Sequence, residues 1–270
     1  MSGAWALAAH SLRRKRVILL GLGLVLAGFQ FLLTQVGVYL MRTQAFGMLA
    51  NLVPEFVRSL AGPSMVMFMS FAGVVSLGYF HPIVLAALLR LSIAIACEPA
   101  GEAETRFLDL TLARPIRRAD LVTRTLIVLA AAAALLLTMM AAATSIGLAC
   151  CTPATAPRPS GAVVRALVLN LGLIMWCWGG IALAIAAGAK RSATAAGVSG
   201  VAALIAYLVD YLGRVWDPAR VVSRLSPFHY FEPMAAVSGG GIAGQNILTL
   251  FTIGLAATIV SYAIFLRRDL

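Results

Sequence analysis

The sequence predicts an all-α polytopic membrane protein with six transmembrane helices and both termini on the cytoplasmic side. Three observations support this fold class. Of the 270 residues, 61% are hydrophobic and 11% are charged, whereas soluble domains carry about 25% charged residues. Six apolar windows are long enough to cross a bilayer, because about 20 apolar residues span it as a helix. Basic residues also lie mostly on one side of the topology that these windows imply.

The chain is expected to fold as a single transmembrane domain over residues 1–270, beginning with an interfacial helix at 1–16. In that helix an apolar face is expected to precede the basic cluster "RRKR". The residues of this face are Trp5, Leu7, Ala8 and Leu12. The first apolar run is too long for a cleaved signal peptide, so it is predicted to be retained as a span. The six spans are predicted at residues 17–40, 82–98, 120–148, 163–188, 195–213 and 247–266.

A break is predicted just before the second span. If residues 65–97 formed one helix, it would be about 50 Å long, which is more than a bilayer requires. Pro82 has no N–H group to donate and disfavours a helical conformation at His81. Residues 65–79 are therefore predicted to form an outer interfacial or re-entrant element that is separate from span two.

Two later segments have features of their own. In span four, Gly180, Ala184 and Gly188 recur at every fourth residue, a pattern that predicts a close contact with another helix. Between spans five and six, prolines and glycines interrupt the apolar sequence at 223–246. Broken backbone at membrane depth requires protein or water to satisfy its polar groups, so this stretch is predicted to be an outer re-entrant segment.

Four residues are candidates for a translocation path, namely Arg90, His229, Tyr230 and Phe231. Arg90 lies inside predicted span two, where a charged side chain is costly. It either lines a cavity or reaches the inner surface from a shifted span. The aromatic cluster at 229–231 is expected to anchor at the membrane interface, with gating of an exit as the alternative. Asp210 is expected to pair with Arg214, one helical turn later.

The distribution of charge favours a membrane surface over nucleic acid as a partner. The net charge is +11, and 13 of the 21 Lys and Arg residues fall on the predicted inner side, against 7 on the outer side. This asymmetry agrees with the positive-inside rule. Membrane lipid, whose inner head groups are often anionic, is therefore the expected partner of most of these residues, and no nucleic acid is expected.

A charged segment at 99–119 separates the second and third spans. Within it, residues 104–113 are predicted to form a short amphipathic helix, with Phe107 and Leu108 on its apolar side. Pro115 ends this helix, because the residue before a proline avoids helical conformations. Such a helix either seats in a groove of a partner protein or lies on the lipid surface.

The sequence "GEAETRFLDLTLARPIRRADLV" in this segment resembles the stretch between spans two and three of ABC-2-type permeases. The matching positions are Leu108, Asp109, Leu110, Leu112, Pro115, Ile116 and Arg118. The stretches "LSPFHYFEP" and "FLRRDL" resemble the outer segment before the last span and the usual ending of the same family. Six spans with both ends inside also agree with that family.

The resemblance implies a transmembrane subunit of a bacterial ABC transporter in the inner membrane, which exports an apolar or amphiphilic compound. A second copy of the chain or a homologue would complete the permease pair. The charged segment would be the coupling helix, docking on a separate ATPase subunit that is present in two copies and binds ATP and Mg. The implied docking residues are Glu102, Glu104, Arg106, Phe107, Leu108, Asp109, Leu110, Leu112, Pro115 and Arg118.

Enzymatic chemistry is not expected in this chain. The sequence has no G-x-x-x-x-G-K-[ST] loop for nucleotide phosphates and no H-E-x-x-H or G-x-S-x-G motif. The spacing of its four cysteines matches no zinc site. No catalytic residue, bound cofactor or metal is therefore predicted. Two other function classes stay open: a secondary transporter driven by an ion gradient, and a membrane scaffold or maturation factor.

Overall fold

The computed structural model describes residues 3–52, 70–104, 118–153, 156, 158–239 and 241–267. Within this part of the chain the secondary structure is helical, and no β-strand occurs. In chain order the helices are α1 (Gly3–Arg42), α2 (Ala45–Leu52), α3 (Phe71–Ser76), α4 (Pro82–Ala96), α5 (Glu98–Glu104), α6 (Arg118–Cys151), α7 (Gly161–Gly188), α8 (Ser192–Val215), α9 (Arg220–Ser223), α10 (Pro233–Val237) and α11 (Gly244–Arg267). Short 3₁₀ turns lie at Leu77–Tyr79, Asp217–Ala219 and Pro227–Tyr230.

Six segments of the described chain are long and apolar enough to cross a membrane, which confirms the predicted all-helical class and the number of spans. They are Gly3–Arg42, Phe71–Ala96, Ala119–Cys151, Gly161–Gly188, Ser192–Val215 and Gly244–Arg267. Large apolar side chains such as Val201, Leu204 and Leu208 are exposed along α8. An apolar solvent suits such a surface, since water would penalise it.

Successive spans run in opposite directions, so the bundle has two ends. At one end the start of α1 lies beside Asp120, and Glu104 bonds to Ser192. We call this the Glu102 end, after the acidic residue in α5. At the opposite end the last turns of α1 pack against Phe71. We call this the Asp210 end, because Asp210 lies near the last residue of α8 there.

The first span differs from the prediction, because α1 is one helix from Gly3 to Arg42. Residues 3–16 continue directly into the span without a break. At 40 residues α1 is about 60 Å long, more than a bilayer requires, so the location of residues 3–16 at the membrane surface stays a prediction. Of the predicted apolar face, Ala8 is buried and Trp5, one turn earlier, is 58% exposed.

The second span contains the predicted break at Pro82 but begins earlier than predicted. His81 caps α4 through Nδ1, which accepts a hydrogen bond from Ile83 N at 3.3 Å. At 15 residues, α4 is about 22 Å long, too short to cross a bilayer core. The span therefore includes Phe71–Tyr79, which the sequence analysis treated as part of a separate element. Residues 65–69 of that element lie outside the described residues.

Polar contacts hold the broken part of span two against its neighbours. The Gln30 side chain donates from Nε2 to the backbone oxygen of Val75 at 2.6 Å. The hydroxyls of Tyr79 and Thr144 share a hydrogen bond of 2.7 Å. Both contacts are buried, so they satisfy groups that the apolar surroundings would otherwise leave without partners.

The central helix is α7, which is the most buried of the six spans and packs along α11. A Cβ atom added at Gly180 would lie 2.6 Å from the carbonyl oxygen of Gly254, so the two backbones touch. Trp176 stacks on Phe251 beside this contact. Of the predicted small-residue face, Ala184 is half-buried and Gly188 has open space around it. The close helix contact is therefore local to Gly180.

The stretch after α8 is broken into short helices and turns, as prolines and glycines lead one to expect. Ser226 caps the turn Pro227–Tyr230 by accepting from Phe228 N, and its hydroxyl donates to Ala206 O at 2.8 Å. Phe228 and Phe231 are buried in the core. The described residues of the segment at 223–246 thus form an irregular, packed connection up to α11, and Ser226 joins it to α8. That this segment is re-entrant stays a prediction.

Candidate functional site

A cavity of about 590 Å³ lies between α4 and α8. Its walls are apolar or aromatic except at Arg90. Small residues on α8 open the space, because Ala196, Gly200 and Ala203 face it where larger side chains would fill it. The lining residues are Pro82, Leu85, Ala86, Leu89, Arg90, Ile93, Ala94, Ala196, Gly200, Ala203, Leu204, Tyr207 and Phe228. A space of this composition suits the apolar part of a ligand.

A second cavity, of about 510 Å³, continues the first toward the Asp210 end. Leu85, Tyr207 and Phe228 line both cavities, so the two are adjacent along α8. The second cavity is more polar, since two carboxylates and one guanidinium contribute to its wall. Its lining residues are Phe80, Leu85, Tyr207, Asp210, Tyr211, Arg214, Phe228, Phe231, Glu232, Pro233, Met234 and Ala235.

Asp210 is the buried charge of the second cavity, with 5% of its surface exposed. The predicted pairing with Arg214 is confirmed, because Arg214 Nε donates to Asp210 Oδ2 at 2.9 Å. His229 Nδ1 lies 3.7 Å from Oδ1, beyond hydrogen-bond distance, and 3.5 Å from Ser223 Oγ. Among the described residues, Oδ1 has no hydrogen-bond partner. One oxygen of this buried carboxylate is therefore left with spare acceptor capacity.

The structure places the four candidate path residues in different surroundings. Arg90 lines the first cavity and Phe231 lines the second. His229 lies beside Asp210, with its Nδ1 atom 3.7 Å from Asp210 Oδ1. Tyr230 donates its hydroxyl proton to Arg224 O at 3.0 Å, and it is not among the residues that line either cavity.

Sequence reasoning missed the burial of Asp210 and the contribution of Glu232. The pattern contained a usable signal, because Tyr207, Asp210, Tyr211 and Arg214 recur at helical spacing and share one face of α8. A polar and aromatic stripe on an otherwise apolar span is typical of a wall that faces a cavity. The position of Glu232 depends on how the irregular connection folds back, which no local pattern indicates.

At the Glu102 end, charged side chains tie α1, α5, α6 and α8 together. Arg124 NH1 donates to both carboxylate oxygens of Glu102, at 2.7 and 2.9 Å, and Arg124 is 4% exposed. Lys15 forms an ion pair with Glu98. Glu104 Oε2 accepts a hydrogen bond from Ser192 N at 3.1 Å.

Only part of the predicted coupling segment can be compared with this geometry. Glu102 and Glu104 lie in α5, which begins at Glu98, before the predicted helix at 104–113. Both side chains contact other helices of the chain. The positions outside the described residues are Arg106, Phe107, Leu108, Asp109, Leu110, Leu112 and Pro115, together with the side chain of Arg118.

The cysteines behave as separate thiols. Cys97, between α4 and α5, is buried, and burial raises the pKa of its thiol to about 11. Cys150, near the last residue of α6, is exposed. In the described part of the chain, no group of three or more His, Cys, Asp or Glu side chains is arranged to hold a metal ion.

Comparison with known proteins gives no identification. No protein-family model matches the chain, and a search of curated proteins finds no match.

Proposed function

We propose that this chain is the membrane-spanning subunit of an ATP-driven ABC-2-type transporter that exports an apolar or amphiphilic compound from bacteria. In this proposal the helix predicted at 104–113, within the charged segment at 99–119, is the coupling helix on which a separate ATPase docks. The ATPase holds ATP and Mg, and a second copy of the chain or a homologue completes the permease pair. The family resemblance of residues 101–122 is the starting point of the proposal.

The observation that carries the proposal is the anchoring of that segment on both sides. At its start, Glu102 and Glu104 bond to α6 and α8. After it, α6 begins at Arg118 and carries Arg124, the partner of Glu102. A force on α5 would therefore reach α6 and α8 through these contacts. Rigid-body movement of this kind is a common way to switch between two states.

The cavities support an amphiphilic cargo. The first cavity has an apolar wall with one charged side chain, and the second adds two carboxylates. A ligand with an apolar body and one polar group matches this division.

The positions of the acidic residues favour ATP over an ion gradient as the energy source. Within the described spans the acidic residues are Asp120, at the start of α6, and Asp210, near the last turn of α8. Gradient-driven carriers place ionisable groups near the bilayer midplane. Neither residue is near the middle of its helix, since Asp120 lies in the first turn of α6 and Asp210 is five positions from the final residue of α8.

The test is co-purification of the tagged chain from its native membranes. We expect an ATPase with a G-x-x-x-x-G-K-[ST] loop to accompany it, and the complex to hydrolyse ATP. Replacing Leu108 and Leu110 by Asp should remove the ATPase, because charges would then enter an apolar docking contact. The matched control is Leu225→Asp, at an 84% exposed position near the Asp210 end, which should leave assembly intact. Unchanged assembly and hydrolysis in the Leu108/Leu110 variant would contradict the proposal.

A further inference from the structure

We propose that the second cavity binds the ammonium group of an alkylamine through Asp210, and that the alkyl chain lies in the first cavity. The inference deepens the proposed function, on which it rests only for the role of the amine as cargo. Binding itself requires neither ATP nor a partner protein. It can therefore be measured, and can fail, independently of the coupling proposal.

The first argument is the unpartnered oxygen of Asp210. Burying a carboxylate is costly unless its oxygens receive hydrogen bonds. Arg214 satisfies Oδ2, whereas Oδ1 has no hydrogen-bond donor among the described residues, and His229 is too far away at 3.7 Å. A protonated amine supplies both the missing donor and a compensating charge.

The second argument is the charge balance of the wall. Among the residues that line the cavity, Asp210 and Glu232 contribute two negative charges and Arg214 contributes one positive charge, so a cation is favoured over an anion. His229, 3.7 Å from Asp210 Oδ1, adds a positive charge only when it is protonated. Arg214 is 55% exposed at the side chain and Glu232 is exposed as well, so solvent screens both, whereas the Asp210 side chain is 7% exposed. The buried carboxylate of Asp210 is therefore the charge that acts most strongly in the cavity.

The third argument is the aromatic lining of the same cavity. Phe80, Tyr207, Tyr211, Phe228 and Phe231 line the same cavity as the two carboxylates. Aromatic faces attract ammonium groups, and the attraction grows where water is excluded. The negative faces of these rings do not attract a sulfate or carboxylate head group in this way.

The shape of the first cavity selects the rest of the ligand. On α8 its wall extends from Tyr207 to Ala196, which is 11 residues or about 16 Å along the helix. This length accommodates an extended alkyl chain. Arg90 on α4 is the charged residue in that wall, so a second ammonium group at the far end of the chain would be repelled. The preferred ligand is therefore a monoamine with a long apolar chain.

The experiment measures binding of radiolabelled dodecylamine to the full-length chain in phosphatidylcholine nanodiscs. Asp210→Asn should weaken binding about tenfold to a hundredfold, which is the range for losing a hydrogen bond to a charged group. The matched control is Asp217→Asn, since Asp217 is 94% exposed at the side chain and should change affinity less than twofold. Dodecyl sulfate and 1,12-diaminododecane, with similar chains, should compete poorly.

A variant that is expected to bind more tightly distinguishes a ligand-binding role of Asp210 from a purely structural one. Arg214→Gln removes the competing cation and frees Oδ2, so dodecylamine should bind several-fold more tightly. If Asp210 served only to hold α8 in place, this variant would lose affinity along with stability. Competition by phosphatidylethanolamine in the nanodiscs would assign the site to lipid amines, and its absence would assign the site to soluble amphiphiles. Equal binding by wild type and Asp210→Asn, or tighter binding of dodecyl sulfate that depends on Arg90, would overturn the proposal.

Discussion

Arg124 at one end of the bundle and Asp210 at the other are both buried charges, but their surroundings differ. Arg124 meets its carboxylate partner through two hydrogen bonds, inside a group of ionic contacts that joins four helices. Asp210 meets Arg214 through one oxygen and faces a cavity with aromatic walls. Each side chain keeps atoms without a hydrogen-bond partner among the described residues, namely Nε and NH2 of Arg124 and Oδ1 of Asp210. The difference is that the contacts around Arg124 join helices, whereas Asp210 lines a cavity that leaves room for another molecule.

This difference suggests a division of roles along the membrane normal. At the Glu102 end, the charged contacts resist relative movement of α5, α6 and α8, so a displacement of one of these helices moves the others. At the Asp210 end, the cavities and the unpartnered oxygen of Asp210 allow a ligand to bind, and binding lowers the free energy of the state that holds the ligand. A transporter needs both properties, and ligand binding can shift an equilibrium only where the two states bind it differently.

The largest effect is expected from Glu102→Gln. It leaves Arg124 buried without its carboxylate, and breaking a buried pair in this way costs about 3–5 kcal/mol. We place the free energy of unfolding about 3 kcal/mol below wild type, measured by thermal or denaturant unfolding in detergent. The matched control is Glu98→Gln in the same helix, whose pair with Lys15 is about one quarter exposed on both sides. That change should cost about 1 kcal/mol or less.

Equal effects of these two substitutions would show that the ionic contacts at the Glu102 end do not depend on burial. The inference that the pair of Arg124 and Glu102 holds the helices together would then be wrong, although the helical bundle itself would remain.

The next effect concerns the close contact between α7 and α11 at Gly180. Gly180→Ala places a methyl group 2.6 Å from the Gly254 carbonyl oxygen, and a backbone atom cannot move aside as a side chain can. Overpacking of this kind costs about 1–3 kcal/mol. Gly197→Ala is the control, because its added methyl group meets open space and the helix gains propensity. The melting temperature should fall for the first variant and hold or rise for the second.

A smaller effect is expected where α1 holds the broken part of span two. Gln30→Leu removes the donor to Val75 O, a buried contact of 2.6 Å. Hydrogen bonds between membrane helices contribute about 0.6 to 2 kcal/mol, so a loss of about 1 kcal/mol is expected in the same unfolding assay. Gln35→Leu on the same helix is a suitable comparison, since no hydrogen bond is found for Gln35 Nε2 in the described part of the chain. A larger loss of stability for Gln35→Leu than for Gln30→Leu would contradict the stabilising role of the hydrogen bond between Gln30 and Val75.

Sequence reasoning recovered the parts of the fold that local physics determines. Apolar run length predicted six spans, and the missing N–H of Pro82 predicted the break in span two. It did not predict that residues 3–16 join the span in one continuous helix, because the charges of "RRKR" were interpreted as a boundary, although nothing in that stretch interrupts helical hydrogen bonding. It also separated Phe71–Tyr79 from span two, whose 15-residue second part is too short to cross alone.

The site was only partly predictable for a similar reason. The pair formed by Asp210 and Arg214 follows from helical spacing within α8. The depth of Asp210 depends on the turn Pro227–Tyr230 packing over it, and that packing rests on the contact of Ser226 with Ala206, 20 residues earlier in the chain. Cavities between α4 and α8 likewise arise from tertiary packing, which no single helix encodes.

The last prediction concerns orientation and not stability. Cysteine labelling determines which end of the bundle faces outward. Cys150 is exposed near the Asp210 end, whereas Cys97 is buried near the Glu102 end and its thiol has a pKa of about 11. Because the raised pKa keeps Cys97 protonated at pH 7, and the thiolate is the reactive form, it should react slowly from either side. A membrane-impermeant maleimide should therefore label Cys150 in intact cells and Cys97 only after denaturation. If Cys150 reacts only when membranes are opened, the Asp210 end faces the cytoplasm, and the ATPase could not reach the predicted coupling helix at 104–113.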